Sequence, residues 1–259
     1  MSNPSEPTSN EPHGFDAGTY GRSFADVYDQ WYPTDDDSVA AAALVSALAG
    51  DGGHVLELGV GTGRLALLLA ERGCRVTGID SSDEMLRVLR SKDPDGRVTA
   101  LIGDLTDARS WPDAIVDVVL AANNLLCNLA DTAAQRRTIE LSAARLRPGG
   151  HLVVEAFVPA PIDDRSRALE VREVRHDGVT LIASAADADT GAVNGAHIEL
   201  TDGAPVRVRP WRILPVWPAE LDRWATDVGL MRTARHADWS RTPFDAEGAR
   251  QIAVYQRPD

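Results

Sequence analysis

The chain has 259 residues, a quarter of them charged, with a formal net charge of −13, enough length to bury a substantial core in one large domain. Its acidity disfavours nucleic acid as a partner, because phosphates need a basic patch, and Arg207, Arg209 and Arg212 lie in a strand-like stretch that offers none. No run of about 18 apolar residues marks a membrane span, and Cys74 and Cys127 are too few for a disulfide scaffold or a metal site.

Residues 1–17 are polar and proline-rich and are expected to form a disordered tail. Residues 1–13 lack the basic and apolar regions of a signal peptide, so a cytoplasmic chain is expected. Phe24, Tyr28, Trp31 and Tyr32 then fall at helical spacing, and Pro33 stops the helix. Asp37 or Ser38 caps an alanine-rich helix over 39–49 that ends at Gly50. A β/α alternation follows. Strands at 54–58, 74–79, 97–102, 116–121 and 151–158 are separated by helices at 63–72, 84–91 and 132–146. Such alternation predicts a parallel sheet covered on both faces. From about 168 the texture changes to strands at 171–175, 179–185, 196–201 and 206–214 joined by short polar connections, the pattern of an antiparallel meander. A helix over 219–228 and a strand over 251–256 close the chain, and exposed edges of the meander could pair two subunits into a homodimer.

The segment His54 to Arg64 is the most telling. A buried strand runs into Glu57, glycines follow at 59, 61 and 63, and a helical run begins. Glycine allows positive φ and removes the Cβ that would block a ligand lying on the turn. A site beyond the carboxyl ends of parallel strands is where open α/β sheets hold ligands. Dinucleotide binding is the natural rival, but its fingerprint needs a third glycine at 64, where Arg64 stands.

Glu57-x-Gly59-x-Gly61-x-Gly63, Asp80 after the second strand, Gly103-Asp104 after the third, Asp117 opening the fourth and Leu146-Arg147-Pro148-Gly149-Gly150 before the fifth resemble the class I S-adenosylmethionine-dependent methyltransferases. The front segment with Tyr28, Asp29 and Tyr32, and the closing meander, helix and strand, resemble the small-molecule branch of that family, which includes N-methyltransferases of antibiotic amino sugars. The resemblance implies a Rossmann-like, seven-stranded, mostly parallel sheet flanked by helices, its last strand antiparallel and beside the fifth. Residues 18–259 would form the methyltransferase domain, with the meander over 168–214 as a lid on the acceptor site. The cofactor implied is S-adenosylmethionine, leaving as S-adenosylhomocysteine.

Roles follow for individual residues. Asp80, 21 positions beyond Gly59 and with Ser81 beside it, can accept both ribose hydroxyls or else cap a helix. Met85 can lie on the adenine face or pack in the core. Asp104 can accept the adenine amino group, with Leu105 against the ring and Ile102 and Gly103 at the pocket edge. Tyr20 and Arg22 are candidates for the methionyl carboxylate, and the Gly59 and Ala121 carbonyls for the ammonium. Tyr28, Tyr32, Asn124 and Trp211 are candidates to touch a small-molecule acceptor.

Methyl transfer is an in-line displacement that a dry, aligned pocket accelerates. An amine needs only a free lone pair, whereas a hydroxyl must first lose a proton. Asn123 could orient the acceptor but not act as a base. Glu155 and His197 are the candidate acid–base groups; His151 and His176 suit structural positions better. The stretch after the fourth strand lacks the Asn/Asp-Pro-Pro-aromatic sequence of base-modifying enzymes, which argues against nucleic-acid amino groups. The expectation is methylation of nitrogen or oxygen on a natural-product or metabolic acceptor. A SAM-binding regulatory or structural protein is the alternative, and labelled SAM with a panel of acceptors separates the two.

Overall fold

In a computed structural model of the chain, residues 16–159, 167–246 and 248–259 are described; the expected disordered tail falls on 1–15, outside them, and on Asp16 and Ala17. The elements run α1 (Thr19–Phe24), α2 (Tyr28–Trp31), α3 (Asp36–Ala49), β1 (His54–Leu58), α4 (Ala66–Glu71), β2 (Arg75–Asp80), α5 (Asp83–Lys92), β3 (Val98–Ile102), β4 (Val116–Ala121), α6 (Thr132–Arg145) and β5 (Leu146–Phe157). Then come β6 (Arg167–Arg175), β7 (Gly178–Ala186), β8 (Val193–Thr201), β9 (Arg207–Ile213), α7 (Pro218–Asp227), β10 (Met231–His236) and β11 (Arg250–Gln256). No helix among the described residues is long and apolar enough to cross a membrane.

Seven strands form one sheet in the order β10-β11-β5-β4-β1-β2-β3, and β6 to β9 form a second, antiparallel sheet. The expected architecture is therefore present. The strands from β3 to β5 are parallel, and β11 enters antiparallel beside β5, with Ile252 opposite Glu155. Strands buried on both faces read as apolar runs. Alternate residues feed two cores: Val55, Val76, Val118 and Leu120 pack with α3, α4 and α5, while Leu56, Leu58, Val119 and Leu152 pack with α6 and α7.

Several boundaries differ from the sequence reading for local reasons. The expected aromatic helix is two short helices broken between Phe24 and Tyr28. The alanine-rich helix starts earlier, because Asp35 caps it by accepting the Ser38 N–H, while Asp37 is committed to Arg250. Ser82 caps α5 through the Met85 N–H. Strand β10, absent from the sequence reading, is a sheet edge whose residues are none of them buried.

Candidate active site

Registers align the carboxyl ends of four neighbouring strands. Glu57 lies opposite Gly78 and Leu120, and Asp80 lies opposite Ile102. The glycine turn, Asp80, Gly103-Asp104 and Ala121–Asn124 thus share one edge of the sheet. Gly59, Gly61 and Gly63 have φ of +63°, +54° and +83°. A Cβ on Gly59 would meet Leu125 at 2.4 Å and one on Gly63 would meet Leu89 at 2.3 Å, so packing alone explains these two. Gly61 is different: its Cβ would point into space with nothing nearer than the Gly59 carbonyl at 3.8 Å. Gly78, which sequence reasoning missed, leaves room for the turn, since its Cβ would sit 2.5 Å from Val60.

Backbone donors aim Asp80. Its two oxygens accept the Gly61 N–H and the Ser82 N–H, both at 2.8 Å, leaving lone pairs free on each. Burial still raises its pKa. Glu57 is fully enclosed, with one oxygen lacking any partner, and burial pushes its pKa from 4.5 to about 8. An orphaned buried carboxylate is costly unless a donor or cation reaches it. Asp104 is exposed and turns one oxygen to the Thr106 N–H and hydroxyl. Beside it Ile102 is an exposed apolar surface, while Leu105 is buried and its carbonyl accepts the Trp111 indole N–H.

The front segment closes on this edge. Asp29 accepts the Thr62 hydroxyl at 2.6 Å and pairs with Lys92 at 2.7 Å. Ser81 donates its hydroxyl to the Ala17 carbonyl, so it holds the front segment. Gly21 lets α1 lie against α5, where a Cβ would be 2.2 Å from Ser82 and 3.2 Å from Met85. Met85 is accordingly buried beneath α1. Tyr28 sits in the fields of Arg64, Glu57 and Asp80, and burial raises its pKa to about 12. Tyr20 stacks on Phe24 at 4.5 Å and stands edge-on to Tyr28 at 6.5 Å, and the Tyr32 ring is 5.0 Å from Tyr28.

Arg22 is placed elsewhere than expected. It is half exposed and spends its guanidinium on Asp16 at 2.7 Å. The guanidinium in the site is Arg64, which the sequence reading treated only as the residue displacing a dinucleotide glycine. It donates to the Asn123 side-chain oxygen, its Nε is buried without a partner, and no carboxylate among the described residues pairs with it.

Asn123 and Asn124 form a left-handed turn with φ of +53° and +59° at the end of β4. Such backbone persists only when its surroundings over-determine it. Here Glu155 accepts the Asn123 N–H at 2.7 Å and the Asn124 side chain accepts the Phe157 N–H at 2.7 Å. The other Glu155 oxygen faces Arg250 at 3.3 Å. One oxygen of this candidate base therefore holds the turn and the other is engaged by Arg250. Ala121 is buried just before it.

His197 lies on β8, on the face of the second sheet that meets the front segment. It is buried between Phe24 at 5.3 Å and Trp31 at 5.1 Å, with neither ring nitrogen hydrogen-bonded. Burial, reinforced by Arg172 and Arg209, lowers its pKa to about 4, so the ring is neutral. Trp211 lies over Gly195 on the same face, its indole N–H buried and unpaired. Arg172 stacks 4.6 Å over Trp31 and 5.3 Å over Tyr32.

Residues 55–150 match a family model described as a methyltransferase domain. The CcbJ methyltransferase of Streptomyces caelestis superposes with a TM-score of 0.86, at 35% identity, over 95% of this chain and all of that one. The chain is a SAM-dependent methyltransferase. The methyltransferase is also 28% identical to the cypemycin N-terminal methyltransferase of a Streptomyces species, over 80% of this chain and 84% of that one. SAM-bound CalS10, an amino pentose methyltransferase of Micromonospora echinaspora, shares the fold at 18% identity, with a TM-score of 0.70 over 90% and 95% of the two chains. The residues present fit the cofactor of this methyltransferase. Open space at Gly61, the orphaned Glu57 oxygen and the unpaired Arg64 Nε lie on one strand and turn, and they suit an uncharged backbone approach, an ammonium and a carboxylate respectively.

Proposed function

We propose that the methyltransferase acts on an amine nitrogen of a small, natural-product-like acceptor bound between the front segment and the β6–β9 sheet. The observation that carries this is the state of the two candidate bases. Glu155 is engaged at both oxygens, and His197 is neutral, buried and ringed by aromatics. An amine that has shed its proton to solvent attacks with its lone pair and needs no base, whereas a hydroxyl does. The N-terminal methylation printed in the name of the cypemycin relative supports the same reading.

When bound, S-adenosylmethionine supplies a sulfonium methyl group for in-line displacement. The chain's own residues bind and align. Asp80 takes the ribose hydroxyls, and Asp104 takes the adenine amino group against Ile102. Arg64 holds the methionyl carboxylate in place of Arg22, and Glu57 with the Gly59 and Ala121 carbonyls holds the ammonium. Tyr28, Tyr32 and Asn123 face the acceptor, and Trp211 and Trp31 wall it with apolar surface that excludes water. The meander serves as the lid.

The test is mass spectrometry of reactions of the full chain with SAM and matched panels of amines, phenols and carboxylic acids. Methyl transfer confined to amines is expected, at a rate that rises with pH toward the acceptor's own pKa. Turnover of phenols or acids alone would overturn the nitrogen reading.

A further inference from the structure

Arg172 lies where the pairing of β6 is interrupted. The register passes from Val171 opposite Leu181 to Glu173 opposite Thr180, so Arg172 is an extra residue with no strand partner. Such a bulge re-aims the side chain it carries, and here the guanidinium is turned onto the front segment. It stands 4.6 Å over the Trp31 ring and 5.3 Å over the Tyr32 ring, and it donates to the Trp31 carbonyl at 3.3 Å. A guanidinium has five N–H donors, so most of its fork is left open among the described residues.

No carboxylate among the described residues pairs with it. The acids of the surrounding strands and front segment are committed elsewhere, Glu173 to Arg175 at 2.7 Å, Glu199 to Arg209, and Asp26 to both Arg209 and Arg207. Nor is this for want of acids, since the chain has 39 acidic residues against 26 basic ones. Arg209 supplies the contrast: it lies 5.5 Å over the same Trp31 ring and is paired with two carboxylates. Against that ring also lies His197, 6% exposed and with neither nitrogen hydrogen-bonded. A half-buried cation and a buried N–H, both open and grouped about one tryptophan, call for an anion.

We propose that Arg172, with the His197 ring N–H beside it, binds a carboxylate of the acceptor, so that the amine being methylated belongs to an acid-bearing molecule such as a long-chain amino acid or a short peptide. This rests on the amine reading above. One guanidinium carries one positive charge, which a carboxylate balances and a phosphate dianion exceeds. A row of tyrosines sets the spacing. Tyr32 lies against Arg172, its ring is 5.0 Å from Tyr28, and Tyr28 sits in the fields of Arg64, Glu57 and Asp80 at the glycine turn. An acid held at Arg172 is therefore two ring widths from that turn, several bonds from the reacting nitrogen rather than on the adjacent carbon.

Mass spectrometry of the full chain with SAM and matched amines tests this, using ω-amino acids of increasing length and di- and tripeptides, each beside its carboxamide and its phosphonate. The acids are expected to have a KM at least about tenfold below that of their amides, the worth of a charge-assisted hydrogen bond. Arg172→Gln should make the two forms equal, with unchanged near-ultraviolet circular dichroism and SAM affinity verifying the fold. Arg172→Lys should restore part of the preference, because lysine keeps the charge and loses the fork. A merely structural Arg172 would shift acid and amide alike. Equal KM for acid and amide in the wild type, turnover of no acid-bearing amine, or a preference that survives Arg172→Gln would overturn the proposal. Phosphonates favoured over carboxylates would overturn the choice of anion. Methyl transfer to phenols alone would sink the amine reading instead, and hydroxybenzoates favoured over their amides only with Arg172 present would then leave the carboxylate site standing.

Discussion

Asp80 owes its aim to two backbone N–H groups, and its remaining lone pairs are what the ribose would meet. Removing a charged acceptor from a binding site costs about 1.5–3 kcal/mol, so Asp80→Ala should weaken SAM binding at least about tenfold by calorimetry. Unchanged affinity would remove the assignment. Arg64→Gln and Arg22→Gln form a paired test of the methionyl carboxylate: a loss of similar size is expected for Arg64 and almost none for Arg22, which is tied to Asp16. Glu57 adds a pH signature. Burial raises its pKa from 4.5 to about 8, so between those values the folded chain keeps a proton that the unfolded chain has lost. The contribution to stability is then unpenalised below pH 4.5 and declines as pH rises toward 8. A cationic ammonium beside the carboxylate lowers its pKa. SAM binding at neutral pH should therefore release a proton, seen as a binding enthalpy that depends on the buffer's ionisation enthalpy, and Glu57→Gln should abolish that dependence. Binding enthalpies identical across buffers in the wild type would contradict it.

Front segment and second sheet are joined by Arg209, the largest fully buried side chain of β9. It pairs with Asp26 at 2.6 Å and with Glu199, and it donates to the Ser23 carbonyl. Arg209→Met would strand these acceptors. Breaking a buried pair costs about 3–5 kcal/mol, but Asp26 and Glu199 keep some exposure and can rehydrate, so about 2–3 kcal/mol is expected in urea unfolding. Arg209→Lys should recover only part, because lysine cannot reproduce the fork to Asp26. A loss below about 0.5 kcal/mol would show that the latch does not hold. This element-scale link was not legible in the sequence, where Arg207, Arg209 and Arg212 read only as a broken basic stretch. The reason is range: its partners in the front segment, Ser23 and Asp26, lie more than 180 positions away. The start of α3 was hidden likewise, since Asp37, a good cap by type, is claimed by Arg250. Strand β10 escaped because Arg232, Thr233, Arg235 and His236 give an exposed edge strand no apolar period.

At the scale of the molecule, the gathering of the glycine turn, Asp80 and Asp104 at one sheet edge was the legible part, because it is set by local sequence and by strand order. The Arg22–Arg64 distinction and the engagement of Glu155 were not, since each depends on what another strand or segment brings close. The same assembly makes ligand binding a global event. The glycine-turn edge gathers the ends of β1 to β4, and Asp29, Ser81 and Gly21 tie the front segment to it. A ligand bound there stabilises sheet and front segment together, so unfolding should remain a single transition that moves upward. At about a hundredfold excess over its dissociation constant, a ligand selective for the folded state adds about 2.7 kcal/mol. For a domain of roughly 250 residues each kcal/mol moves Tm by about 2–4 °C, so SAM or S-adenosylhomocysteine should raise Tm by about 5–10 °C in differential scanning calorimetry. Asp80→Ala, at the same ligand concentration, should lose about half of that rise, because tenfold weaker binding removes about 1.4 kcal/mol. A full rise in this variant would place the cofactor away from Asp80, and a wild-type shift under about 1 °C would mean that the edge is not where it binds.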